Sequence, residues 1–210
     1  MKQKTLIAVA MYVSIFTTAC KKDDKTNDPA TSPTMKTFIV NVDLAYDPTT
    51  QPNPACFIDF DEGKAYKVSE GAANASKIDG LYLLRYAIAN DPIIVSPGSY
   101  DGSPGYVEAD WKKADLLMQN WGTYNHTIVT DGASKHTSTG FAAIKTVNDF
   151  NAWLDDGLKY TTSDFYFMDN THIGNIYLFK THQNKNGAFK LINAQNGSTG
   201  FATLEIKIQP

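Results

Sequence analysis

The chain has 210 residues, 20% of them charged, and a formal net charge of −3. So mild an acidic balance offers no electrostatic footprint for nucleic acid and no polybasic patch for a membrane surface. Beyond a polar N-terminal stretch, about 175 residues remain, enough for one well-buried domain and hardly for two.

At the N-terminus, Lys2 and Lys4 precede an apolar run from Leu6 to Phe16. The run has the length of a secretory h-region and is too short to cross a bilayer as a helix. Thr17-Thr18-Ala19 then lead into Cys20. This order resembles the lipobox of bacterial lipoproteins, with Thr17 standing where leucine is usual. The resemblance implies that residues 1–19 are a signal peptide and that Cys20 becomes the acylated terminus. The alternative is an ordinary secretory signal cut near Ala19. Cleavage removes two lysines and no acid, leaving 17 basic and 22 acidic residues and a net charge of −5. With Cys20 acylated, Cys56 has no disulfide partner, and its place just before Phe57 reads as a buried, small apolar side chain.

Residues 20–35 are the lipidated cysteine and a tether of lysine, aspartate, threonine, proline and serine, too polar to fold alone. Lys22-Asp23-Asp24 resembles the acidic signal that directs some Gram-negative lipoproteins to the outer face of the outer membrane. A plain charged linker, with the domain on the periplasmic face, is the alternative. The expectation is an outer-membrane lipoprotein held by its N-terminal lipid and exposed at the cell surface.

Residues 36–210 read as one β-dominated (α+β) domain, an antiparallel sheet or sandwich-like fold with two short helices. Phe38, Val40, Val42 and Leu44 alternate with Thr37, Ile39, Asn41 and Asp43, the period of a half-buried strand. Phe57–Phe60 and Ala65–Val68 predict a hairpin around Asp61-Glu62-Gly63-Lys64. The apolar run Leu81 to Ile88 suits a central strand, and Ile93-Ile94-Val95 a short one closed by Pro97-Gly98. Val107, Trp111, Ala114, Met118 and Trp121 lay one apolar stripe on a predicted helix that Gly122 ends. A second helix is predicted over 147–156: Thr146 and Asp149 have capping-box spacing, and Phe150, Trp153, Leu154 and Leu158 form the inward face. Strands return at Asn175–Thr181, Phe189–Ala194 and Phe201–Ile208, with Asn184-Lys185-Asn186-Gly187 and Asn196-Gly197 as turns.

Few residues carry chemistry. There is no phosphate-cradling glycine loop, no nucleophile elbow and no cysteine pair at zinc spacing, so no enzymatic activity is expected. Asp59, Asp61 and Glu62 alternate with apolar residues and read as the wet face and turn of a hairpin. His172 and His182 flank the strand Asn175–Thr181 and belong near opposite ends of the sheet. His126 and His136 flank Asp131-Gly132; only a three-residue loop there brings both to one face of a hairpin.

Phe57-Ile58-Asp59-Phe60-Asp61-Glu62-Gly63-Lys64, then Val68, Ile78-Asp79 and Leu84-Arg85-Tyr86, resembles the N-terminal half of the HmuY-like haem-binding surface lipoproteins. Ile176-Tyr177-Leu178-Phe179-Lys180-Thr181, Gly187-Ala188-Phe189-Lys190-Leu191 and the closing strand are similar to that family's last three strands. Together the segments span about half the domain. The resemblance implies a β-rich fold that binds haem through histidine or methionine side chains and passes it to an outer-membrane transporter. Met168 or His172, in the aromatic segment before Ile176, would supply one axial ligand; for Met168 the alternative is core filler. No second ligand is assigned. A different class of function is a structural or glycan-binding surface lipoprotein, with Trp111, Trp121, Tyr100, Tyr106 or Tyr124 stacking on sugar.

Overall fold

The computed structural model describes residues 31–45, 51–85, 91–100, 117–118, 120–131, 138–154, 165–168, 170–197 and 199–210. From Ser32 onward these belong to one compact unit. The signal segment, Cys20 and the tether as far as residue 30 lie outside the described residues, as do Trp111, Tyr106, His136 and Leu158. Strand β1 (Lys36–Asp43) keeps the predicted alternation: Val40 and Val42 are buried, whereas Thr37, Ile39, Asn41 and Asp43 face solvent. β2 (Phe57–Asp59) and β3 (Lys64–Tyr66) form the predicted hairpin, with Phe57 opposite Tyr66 and Asp59 opposite Lys64, but the second arm begins at Lys64 and ends at Tyr66, and Val68 opens a helix instead of extending it. Gly63 turns it at φ +61°, where a Cβ would also meet the Phe38 ring at 2.1 Å.

The remaining described strands are β4 (Gly80–Arg85), β5 (Asp91–Val95), β6 (Ile128–Asp131), β7 (Phe165–Phe167), β8 (Ile176–Lys180), β9 (Asn186–Gln195) and β10 (Phe201–Ile208). They build two five-stranded sheets, ordered β1-β10-β9-β8-β6 and β3-β2-β4-β5-β7, and every neighbouring pair is antiparallel. β10 runs the full length of β1, from Lys36 opposite Ile208 to Asp43 opposite Phe201. Just after β1 the chain crosses sheets: Ala45 donates to the Tyr82 carbonyl at 3.0 Å and accepts from the Leu84 N–H at 3.2 Å. The shared core joins Val40, Val42 and Leu204 of the first sheet to Ile58, Tyr82 and Ile94 of the second. Phe60 is its keystone, stacked on Phe179 at 4.3 Å and on Phe189 at 5.6 Å. In β9, Thr203 pairs with Asn193 but Leu204 with Leu191, so Ile192 bulges from the ladder. The bulge moves the inward positions from Phe189 and Leu191 to Ala194.

Both outer faces are covered, which explains why β4, β5 and β8 are apolar without alternation. On the second sheet, Phe57, Leu81, Leu83, Ile93 and Val95 lie under Cys56, Ala75, Ile78, Leu117, Met118 and Trp121. Cys56 is fully buried and unbridged, as its surroundings predict, and burial pushes its thiol pKa far up. On the first sheet, Ile176, Leu178 and Ala188 pack beneath Phe141, Ile144 and Phe150. These last come from α2 (Ser138–Ala143) and α3 (Val147–Leu154), with Ile144 between them. The capping box predicted for α3 is formed: Asp149 Oδ2 accepts from the Thr146 N–H at 2.7 Å, and Thr146 Oγ1 accepts from the Asp149 N–H at 3.2 Å.

Several expectations change. Two short helices were expected; α3 matches one, while 107–121 lies mostly outside the described residues, which begin there at Leu117. α1 (Val68–Asn74) and α2 carry too few apolar residues to show a stripe. α1 nonetheless packs closely, because Gly71 lets the Phe57 ring approach to within 2.4 Å of where a Cβ would stand. Trp153 is only half-buried beside Phe150, which is the anchor of α3. Gly187 is a strand residue and not part of a turn: the turn comes earlier, with Asn184 at φ +61°. On β10, half-buried Phe201, Thr203 and Glu205 alternate with buried Ala202, Leu204 and Ile206, and Lys207 breaks the alternation. It is 3% exposed, and its Nζ donates to the carbonyls of Phe141 at 2.9 Å and Ile144 at 2.8 Å.

Candidate functional site

Asp59 and Asp79 are acids set among buried apolar residues, Asp59 at the end of β2 and Asp79 just before β4. Each is 2% exposed, so neither belongs to a wet face, and the expectation for Asp59 is corrected. Burial removes water, and each carboxylate recovers hydrogen bonds from protein donors. Asp59 accepts from the Glu62 N–H at 2.9 Å and the Tyr66 hydroxyl at 3.4 Å. Asp79 accepts from the Phe60 N–H at 3.1 Å on Oδ2, and from the Thr127 hydroxyl at 3.1 Å on Oδ1. His182 Nδ1 stands 3.4 Å from the same Oδ1. Phe60 belongs to the second sheet's hairpin, whereas Thr127 precedes β6 and His182 follows β8, both in the first sheet. One carboxylate thus joins the two sheets at their rim.

Around it opens a small cleft, about 80 Å³, lined by Asp59, Asp61, Glu62, Lys77, Asp79, Thr181 and Gln183. Its outer wall is ionic. Asp61 takes Lys185 at 2.6 Å and Lys36 at 3.2 Å, and Glu62 takes Lys77 at 3.0 Å. Behind it, the Thr127 N–H donates to Ser96 Oγ at 2.8 Å, and Ser96 Oγ–H donates to the Asn125 carbonyl at 2.9 Å. Asn125 Nδ2 in turn donates to the carbonyls of Ala75 at 3.2 Å and Ile78 at 2.9 Å. This buried polar network fixes residues 125–127 against the approach to β4.

The electrostatics divide the acids. Burial raises Asp79 to about 6, against the downward pull of the Phe60 N–H, Thr127 and His182. Burial raises Asp59 and Tyr66 as well. Burial also acts upward on Asp61, but its bonds to Lys185 and Lys36 outweigh it and hold the carboxyl below its usual value. The cleft therefore keeps one wall ionised and, in mild acid, holds a proton on the other. Among the described residues no three His, Cys, Asp or Glu side chains converge as metal ligands.

The expected haem ligands lie elsewhere. Met168 is fully buried in the core between the sheets, with its N–H on the Pro92 carbonyl at 2.7 Å and its carbonyl accepting from Tyr82 Oη at 3.3 Å. Its thioether lies among core side chains, so a porphyrin would have to enter the sandwich to reach it. His172 ends the 3₁₀ turn Asn170–His172 and is half-buried, with Thr171 Oγ1 at 3.2 Å from Nδ1. His172 and His182 do flank β8 from opposite ends. His126 is exposed, and β6 pairs with β8. Of the aromatic candidates, Trp121 is buried against Phe57 at 4.9 Å, while Tyr124 is 47% exposed.

Asp79, Thr127 and His182 were not foreseen as a site, because 103 residues separate Asp79 from its histidine. The one local signal was an acid flanked by core residues, as in Ile58-Asp59-Phe60. Compared with protein-family models, curated proteins and solved structures, the chain matches none.

Proposed function

We propose that the chain is an outer-membrane lipoprotein, anchored through Cys20 and displayed at the cell surface, whose β-sandwich binds a ligand for uptake and catalyses nothing. The observation that carries the proposal is the order Lys2/Lys4, Leu6–Phe16, Thr17-Thr18-Ala19-Cys20, followed by a polar tether. No described helix is long and apolar enough to cross a membrane. Cys20→Ala should abolish palmitate labelling and move the protein out of the membrane fraction. Unchanged labelling and retention would overturn the anchor.

Haem is the ligand to test first, on the HmuY-like pattern of the Phe57–Lys64 hairpin and the last three strands, with an outer-membrane transporter as the receiving partner. Of the two ligands named from sequence, His172 is the one at the surface. Haem titrated into the full chain should give a Soret shift that His172→Ala reduces at least about tenfold in affinity. The absence of any shift in wild type removes the haem reading. Tyr124 favours a second reading, glycan binding: its exposed ring stacks on buried Trp121 at 6.1 Å and 20°, a backed aromatic surface suited to the apolar face of a sugar.

A further inference from the structure

We propose that Asp79 and His182 form a proton-operated latch: one proton held between them closes the β8–β9 loop over the acidic cleft, and its loss loosens that loop. The loop, Thr181–Lys185, is a tight turn of its own, with the Thr181 N–H on the Lys185 carbonyl and the Asn184 N–H on the Thr181 carbonyl, each at 2.9 Å. Two side chains tie it to the second sheet: His182 reaches Asp79 at 3.4 Å and Lys185 reaches Asp61 at 2.6 Å. The ties differ in kind. Asp61 is part-exposed and answers two lysines, whereas Asp79 is sealed and its ion-pair partner among the described residues is the His182 imidazole.

The sign follows from proton affinity. A hydrated aspartate keeps its proton only below about 3.8, whereas burial carries Asp79 in the closed cleft up to about 6. The closed state therefore binds the proton more tightly than any state that lets water reach the carboxylate. Acidification from neutral pH through 6 favours closure, and the gain is lost as pH rises again. Asp59 on β2 is raised by burial too, but its bonds go to the Glu62 N–H and the Tyr66 hydroxyl, so its proton bears on its own hairpin and not on the loop. Glu62 is paired with Lys77 across the mouth, and the Asp61 carboxyl, held below its usual value by Lys185 and Lys36, stays ionised through this interval.

Hydrogen exchange of the full chain in detergent tests the latch, read by mass spectrometry over residues 181–185. Corrected for the intrinsic pH dependence, protection should rise at least about threefold between about pH 7.5 and about pH 5. Asp79→Asn, which mimics the protonated carboxyl, should be equally protected at both. His182→Gln should move the transition upward, because the imidazole charge lowers Asp79. A flat wild-type profile, or a step that survives in Asp79→Asn, overturns the latch. Should that variant fail to fold, a transition left in place by His182→Gln overturns it instead.

Discussion

Phe60 carries more of this fold than its position suggests. It follows a three-residue strand at the edge of a turn, yet it is fully buried and its ring lies on Phe179 and Phe189 of the opposite sheet. Its N–H meets Asp79, so one residue supplies both the apolar contact between the sheets and a bond that holds the cleft. Phe60→Ala should cost about 3–5 kcal/mol in urea unfolding, from lost burial and the cavity left behind. A loss below about 1 kcal/mol would mean that the sheets pack without it. Gly187 plays the complementary part. The Phe179 ring lies over it so closely that a Cβ would stand 2.2 Å from the ring, and the missing side chain is what lets that ring reach Phe60.

At the scale of elements, what was legible was local. The alternation of β1, the Phe57–Tyr66 hairpin and the Thr146–Asp149 box each depend on residues within a few positions of one another. Sequence spacing determines their geometry almost completely. α1 and α2 were not legible because single residues hold them by tertiary contact: Gly71 beneath Phe57 and Trp121, and Phe141 beside Lys207. The cleft was hidden for the same reason, since its walls come from β2, the approach to β4 and the β8–β9 loop. Lys207 shows how strong such a contact is. Its ammonium sits 4.9 Å from the Phe141 ring centroid and bonds the carbonyls at the end of α2, where the helix dipole favours a cation. Lys207→Ala removes these charge-assisted bonds and should cost about 1–3 kcal/mol. Exchange protection in α2 should fall more than in β10. Equal loss in both would mean that Lys207 stabilises only its own strand.

From Ser32 onward the described residues form a two-sheet sandwich whose first and last strands pair, with helices over both outer faces. That pairing gives the domain a polarity. Lys36 and Ile208 form one end of the β1–β10 ladder, and the ladder continues through Gly187 to Lys180 and the β8–β9 loop. The acidic cleft, with Lys36 on Asp61, is therefore at the end where the chain enters the sandwich. The other end gathers Asp43, Phe201, Gln195 and the Asn170–His172 turn, whose Asn170 N–H reaches Asn196 at 3.3 Å. The Asp79–His182 contact and His172 are thus held apart by the length of β8, so a change at one end of the strand can leave the other untouched.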